Sequence, residues 1–337
     1  MQNNILRRLI FASQIGFFVL LVGSAVMFSI FSQQQTHAEA NGLPGNTTAN
    51  KEPVYPIQPA PWYGSLSTGL YITDPNPSAK EKLLDHKASV LSWFVHWDGK
   101  MDNEKLAYAC SHGYVPQITW ESRTKDEIQS SRYSLDDIIA GKYDQFIRDE
   151  LESVKKTCKD QSVIIRFDHE MDTKIGRIGW YPWQGNPEQY IAAWKHVVSI
   201  SHEISPTIKW LWSPNRGVQV TKQYYPGEEW VDYVGITINR NPKQFHYNDF
   251  GTFYGDNQLV IESFGKPIII SETTYDQEGG TAALKAEWIN SMAAYIATNP
   301  KIVSVSWFES RIGQSFESSP ESIAALKVAY KALESRK

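Results

Sequence analysis

From Trp62 onward, eight short runs rich in β-branched and aromatic residues alternate with helical stretches. The runs are Gly69-Thr73, Val90-His96, Val115-Trp120, Ser162-Phe167, Ile208-Trp212, Tyr233-Ile238, Pro267-Ser271 and Ile302-Phe308. Helices are predicted between them, for example over Tyr143 to Lys159, Pro187 to Ile204, Ala282 to Thr298 and Pro320 to Ser335. Strands that take turns with helices imply βα units and a parallel sheet. Eight such units in roughly 270 residues have the size and order of an α/β fold of one kind, the (β/α)8 TIM barrel. No internal repeat of the solenoid type is present.

In such a barrel the chemistry sits where strands end, so polar residues that directly follow an apolar strand are suspects. "VIIRFDHEMD" is a buried strand that passes abruptly into Asp168, His169, Glu170 and Asp172. "KPIIISETTYD" does the same at the seventh strand, presenting Glu272. Two carboxyl groups facing each other across the mouth are what a retaining glycosidase needs. One protonates the leaving oxygen and the other attacks the anomeric carbon, at a separation of roughly 5 to 5.5 Å. A lone glutamate after a strand is as readily a cap or a salt-bridge partner; it is the pair that carries the reading. Asp168, His169 and Asp172 also cluster, but Thr173 stands where a zinc-binding HExxH helix would need its second histidine. The chemistry needs no metal and no cofactor.

Charge and aromatic content narrow the partners. The formal net charge is -4 and no Lys/Arg block lies beyond the N-terminus, which argues against nucleic acid. The chain carries 12 Trp, 17 Tyr and 14 Phe, and flat apolar rings are what sugar faces stack on. Trp180, Trp183, Trp120 and Trp97 are the candidate platforms, two of them expected to meet sugar and the others to be packing. Only Cys110 and Cys158 are present. Each falls near the end of a predicted helix, which leaves open a single bridge or two unpaired thiols.

The chain reads as three parts: 1–40, a signal-anchor or signal peptide; 41–61, a flexible linker; and 62–337, the catalytic barrel. Arg7 and Arg8 precede a largely apolar run from Leu9 to Phe31, long enough to cross a bilayer and oriented for export of the rest of the chain. Ala38-Glu39-Ala40 would fit a cleavage site, so the barrel is expected either anchored at the outer face of a membrane or secreted, as a monomer. Residues 41–61 are rich in Pro, Gly, Asn and Thr and include the sequon Asn46-Thr47-Thr48.

Beyond these features, "GYVPQITWES", "IIAGKYDQFIRDE", "IIRFDHEM" followed by "WYPW", "WLWSPN", "YYPGEEWVDYVGI", "KPIIISE" and "VSWF" occur in that order. Together they resemble glycoside hydrolase family 26, the family of secreted β-mannanases and related β-glycanases. The resemblance implies that Glu170 is the acid/base, Glu272 the nucleophile, His169 the active-site histidine and Arg166 a supporting arginine. It places Trp307 as the floor of the sugar subsite beside the cleaved bond. Two departures stand out: Asp172 with the insertion "TKIGRIG" before Trp180, and Asn239-Arg240 where the family has an aspartate and a tyrosine near the nucleophile. The implied activity is a retaining endo-β-glycanase acting on a polysaccharide. Its alternatives are an envelope enzyme trimming the cell's own exopolysaccharide, or a barrel that binds polysaccharide without turnover.

Overall fold

A computed structural model describes residues 66–336 except 102, 129–131, 174–179, 216–217, 244–248 and 312, and omits the side chain of Asp256. The apolar segment 9–31, the cleavage site at 38–40, the sequon at Asn46, the linker 41–61, the barrel start at Trp62 and most of the "TKIGRIG" insertion lie outside the described residues. Among the described residues no helix is long and apolar enough to cross a membrane.

Eight parallel strands close into a barrel in sequence order. They are β1 (Ser67–Tyr71), β2 (Val90–His96), β3 (Val115–Glu121), β4 (Val163–Phe167), β5 (Ile208–Trp212), β6 (Tyr233–Arg240), β7 (Ile268–Tyr275) and β8 (Ile302–Trp307). Around them run α1 (Ser78–Leu84), α2 (Glu104–Ser111), α3 (Leu135–Ile139), α4 (Asp144–Cys158), α5 (Pro187–Ile204), α6 (Phe250–Glu262), α7 (Ala282–Thr298) and α8 (Pro320–Glu334). Six of these eight helices, all but α1 and α4, start where a short polar side chain accepts an orphan backbone N–H group. Asn186 caps α5 through Gln189 N, Thr281 caps α7 through Leu284 N, and Ser319 caps α8 through Ser322 N. Pro187 and Pro320 occupy the first turns of α5 and α8, where a missing N–H costs nothing.

Each helix turns one stripe inward. On α4 that stripe is Ile147, Glu150, Leu151, Val154 and Cys158, the i, i+3, i+4, i+7, i+11 spacing of one helical face. Glu150 is tolerated there because its carboxylate accepts from Met101 N at 2.7 Å and pairs with Lys100 at 2.7 Å. Cys110 of α2 and Cys158 of α4 are joined by a disulfide with Cα atoms 5.2 Å apart, which resolves the question their spacing left open.

Strand alternation divides the interior. Val163, Ile165 and Phe167 of β4 join the large core beneath the helices. Ile164 joins Val90, Leu211, Tyr233 and Ile269 in a small cluster of its own, the apolar plug of the barrel. One pleat nearer the mouth the lining becomes polar. Gln117 Nε2 donates to Ser271 O at 3.3 Å, and the hydroxyls of Ser213 and Ser271 meet at 2.9 Å. Gly235 permits this meeting, since a Cβ there would stand 2.6 Å from Ser271 Oγ and 2.7 Å from Ser213. A core that grows polar toward the strand ends is built to place ionisable groups at the mouth.

Candidate active site

Glu272 lies within β7, not after it. The apolar run alone ends this strand at Ser271, but pairing with β6 continues through Glu272 to Tyr275. Opposite β8 the register jumps between Ile270 and Thr273. This irregularity explains how two successive side chains share one side of the sheet. Ser271 reaches Ser213, Glu272 reaches Arg166, and both partners are interior.

Arg166 of β4 is the hub of the mouth. Its side chain is fully buried; Nη1 donates to Glu272 Oε1 and, at 3.3 Å, to Thr119 Oγ1, while Nη2 donates to Thr237 Oγ1 at 2.9 Å. A planar fork suits this task because its donors are fixed relative to one another. Glu272, 6 % exposed, is held from one side and left open toward the mouth.

After β4 the backbone turns sharply. Asp168 and Glu170 adopt φ of 38° and 55°, a left-handed region that costs a non-glycine residue about 1–3 kcal/mol. Hydrogen bonds hold both. Ser122 donates to Asp168 from N at 2.8 Å and from Oγ at 2.6 Å. Glu170 N donates to Ser213 O at 2.8 Å, and Glu170 O accepts from Gln184 Nε2 at 2.7 Å. The strain aims the Glu170 side chain back over the barrel. Burial pushes its carboxyl up to about 7; the charge of Glu272 adds to the rise, while Arg166 and hydrogen bonds from Thr237 and Asn215 oppose it.

His169, between the two strained residues, is 2 % exposed. Its ring packs edge-on to Phe94 at 5.5 Å and tilted against Tyr181 at 5.1 Å. Burial drives its pKa well below the ordinary value, helped by the charges of Arg166 and Arg123. Asp168, His169 and Asp172 do not converge: Asp172 instead accepts from Asn215 N at 2.7 Å and Thr221 Oγ1 at 2.5 Å. Among the described residues no group of His, Cys, Asp and Glu is arranged to hold a metal ion.

The tryptophans require correction. Trp97 and Trp120 are 2 % and 0 % exposed, in a cluster with Phe146 and Phe167 beneath the helices. They are core, not platforms. Trp183 is buried too; it stacks on Tyr181 at 4.6 Å and donates through Nε1 to His169 O at 2.8 Å. Trp307 ends β8 as expected, but its ring is buried, with Nε1 donating to Gln314 O at 3.2 Å, so it offers no open floor. Trp180 alone of the five is exposed, at 56 %.

The aromatic surface that borders the mouth comes instead from half-buried Tyr71, Phe94, Phe308 and Tyr181. Tyr71 meets Phe308 at 4.9 Å and Phe94 at 6.0 Å. Burial and the charges of Glu272 and Glu121 raise the Tyr71 pKa, which sets its phenol within electrostatic reach of the site. Sequence reasoning also missed Glu121, the last residue of β3. Its place at a strand end was the same signal that singled out Glu170.

A closed eight-stranded parallel barrel with one glutamate just after β4 and another within β7 defines the class: a (β/α)8 barrel with ionisable groups at its C-terminal mouth. The sequence model for "Glycosyl hydrolase family 26" matches residues 90–262. The chain belongs to that family and is a glycoside hydrolase. A search of curated protein sequences finds no significant match. Among solved structures, the catalytic domain of a Bacillus sp. JAMB-750 endo-β-1,4-mannanase is similar at TM-score 0.59 and 14 % identity, covering 79 % of this chain and 86 % of that one. A Cellulomonas fimi endo-β-1,4-mannanase double mutant gives 0.58 and 16 %, covering 80 % and 70 %. A Bacillus subtilis mannanase gives 0.53 and 16 %, covering 79 % and 84 %. At these identities the likeness speaks for the fold.

Proposed function

We propose that the protein is a retaining endo-β-glycanase of the mannanase type, working by double displacement. The observation that carries this is the unlike treatment of two glutamates at one mouth: Glu170 is pushed up to about 7, while Glu272 is ion-paired with Arg166. Glu272 attacks the anomeric carbon and forms the glycosyl ester as Glu170 gives its proton to the departing sugar oxygen. Glu170, now a carboxylate, takes a proton from water, and the resulting hydroxyl displaces Glu272 to release the sugar. β-Mannan is the first substrate to test, because solved structures that share the fold are named as mannanases. The Cys110–Cys158 disulfide supports action outside the cytoplasm, where such bonds persist.

Azide tests the roles. Glu272→Ala should abolish turnover by several powers of ten, and azide should then give the α-glycosyl azide from an activated β-glycoside. Glu170→Ala should spare the first step for aryl glycosides with good leaving groups, and azide should give the β-anomer. Reversed anomers would exchange the roles. Near wild-type hydrolysis by either variant would refute the assignment, and binding of β-glycan without turnover by the wild type would leave a binding barrel.

A further inference from the structure

Behind His169 lies a second charged group that the two-glutamate chemistry leaves unused. Glu121 ends β3 with no exposure at all and sits in register with His96 of β2. One carboxylate oxygen, Oε2, is ion-paired with Arg123, whose Nη2 stands 2.8 Å away; His96 Nε2 lies 3.0 Å from that oxygen and 3.0 Å from Arg123 Nη2. Arg123 is itself fixed, since Nη1 donates to Thr124 O at 2.9 Å and Lys125 O at 3.2 Å, and its guanidinium lies 5.9 Å over the Tyr181 ring. The other oxygen, Oε1, stands 3.6 Å from His169 Nδ1. Neither Oε1 nor Nδ1 has a hydrogen-bond partner among the described residues, and Oε2 is held by charge rather than by an aligned hydrogen bond.

A neutral imidazole carries one N–H and one lone pair. Against a carboxylate oxygen the lone pair is repelled and the N–H is attracted, so Nδ1 takes the proton. The other packed neighbours of the ring, Phe94, Tyr181 and Trp183, meet it as aromatic rings. A gap of 3.6 Å is long for a hydrogen bond, but such contacts in unliganded sites often tighten when substrate binds. We propose that Glu121 is a positioning residue: it fixes His169 as the Nδ1–H tautomer and leaves Nε2 as an acceptor for a sugar hydroxyl beside Glu170. The arrangement also gives the buried carboxylate a second task besides its ion pair with Arg123. Depression of the His169 pKa agrees with a ring kept neutral. Only the naming of a sugar hydroxyl rests on the glycosidase reading above.

The test is side-chain ¹⁵N NMR on protein labelled at histidine, with His169 assigned by the signal lost in His169→Gln. The wild type should show a protonated Nδ1 and a lone-pair Nε2. Glu121→Leu, which removes the acceptor at similar volume, should move His169 to the Nε2–H form or a mixture. Its kcat/KM on β-mannan should fall between about threefold and a hundredfold, the range for one lost hydrogen bond in a buried site. Glu121→Gln, which keeps a carbonyl oxygen for Nδ1–H, should restore most of both readouts. An Nε2–H tautomer in the wild type, or an unchanged spectrum in folded Glu121→Leu, overturns the proposal. Should Glu121→Leu fail to fold, the wild-type spectrum decides alone. An inactive wild type with the expected tautomers would sink the glycanase reading and sustain this one.

Discussion

Arg166 of β4 and Glu272 of β7 form a buried ion pair across the barrel mouth, and the same guanidinium holds Thr237 Oγ1 of β6 at 2.9 Å. Three strands therefore depend on one side chain. Arg166→Ala would leave Glu272 buried without its partner, a change that costs about 3–5 kcal/mol and releases the carboxylate from its aim. Arg166→Lys restores charge but cannot serve Glu272, Thr119 and Thr237 from one rigid fork. Both variants should lose kcat by about 10²–10³, with Lys recovering much of the stability and little of the rate. Urea unfolding and steady-state kinetics on one preparation separate the two effects. Full activity in Arg166→Lys would show that charge alone suffices.

The tryptophans divide by burial in a way that kinetics can read. Trp97→Ala opens a cavity among Trp120, Tyr133, Phe146 and Phe167 and should cost about 3–5 kcal/mol, with KM unchanged in the folded fraction. Trp180→Ala removes an exposed ring and should alter stability by less than about 0.5 kcal/mol. If that ring serves as a platform at the mouth, KM for β-mannan should rise about two- to tenfold. An unchanged KM would remove Trp180 from the cleft.

Local pattern determines which parts of the fold are legible in the chain. β2 and β5 are bounded to the residue, because continuous apolar runs flanked by helices define a buried parallel strand, and so are α5 and α7, with Asn186 and Thr281 as their caps. β7 is cut short because Glu272 and Thr273 break the apolar run, while the pairing with β6 that continues it is made across a register shift no one-dimensional pattern carries. Glu170 and Glu272 are visible because ionisable groups interrupt apolar strands. Thr119 and Thr237 are invisible, since a threonine in a strand is ordinary until an arginine from another strand reaches it. Platforms and core tryptophans look alike in sequence; burial, set by the whole fold, separates Trp180 from Trp97 and Trp120.

The disulfide gives a third prediction. It ties α2 to α4 across a sequence separation of 48 residues, and a closed loop of that length is worth about 4 kcal/mol in the chain-entropy account. Cys110→Ser with Cys158→Ser, or reduction under native conditions, should lower the melting temperature. The bridge joins two outer helices, whereas the mouth is built from strand-end residues, so KM should stay the same. An unchanged melting temperature after verified reduction would show that the bridge adds nothing.

The Glu170 carboxyl, pushed up to about 7 by burial and by Glu272, links activity and stability to the same proton. In the proposed mechanism the first chemical step needs that proton, so kcat/KM should fall as pH rises through about 7. Stability is set by proton counting. Between the ordinary glutamate pKa and 7 the folded state binds the proton more tightly than the unfolded chain, so raising the pH across this window destabilises the fold, by up to about 1.4 kcal/mol per pH unit. Below the window both states are protonated and the penalty vanishes; above it the penalty is complete. Glu170→Gln removes the titration, and should therefore unfold at higher urea than the wild type above pH 7 and lose that advantage near pH 4. Urea titrations of both proteins at a series of pH values check this directly. A wild type that gained stability relative to Glu170→Gln from pH 5 to 7 would mean that the folded state prefers the carboxylate, and Glu170 could not then be the group that holds the proton.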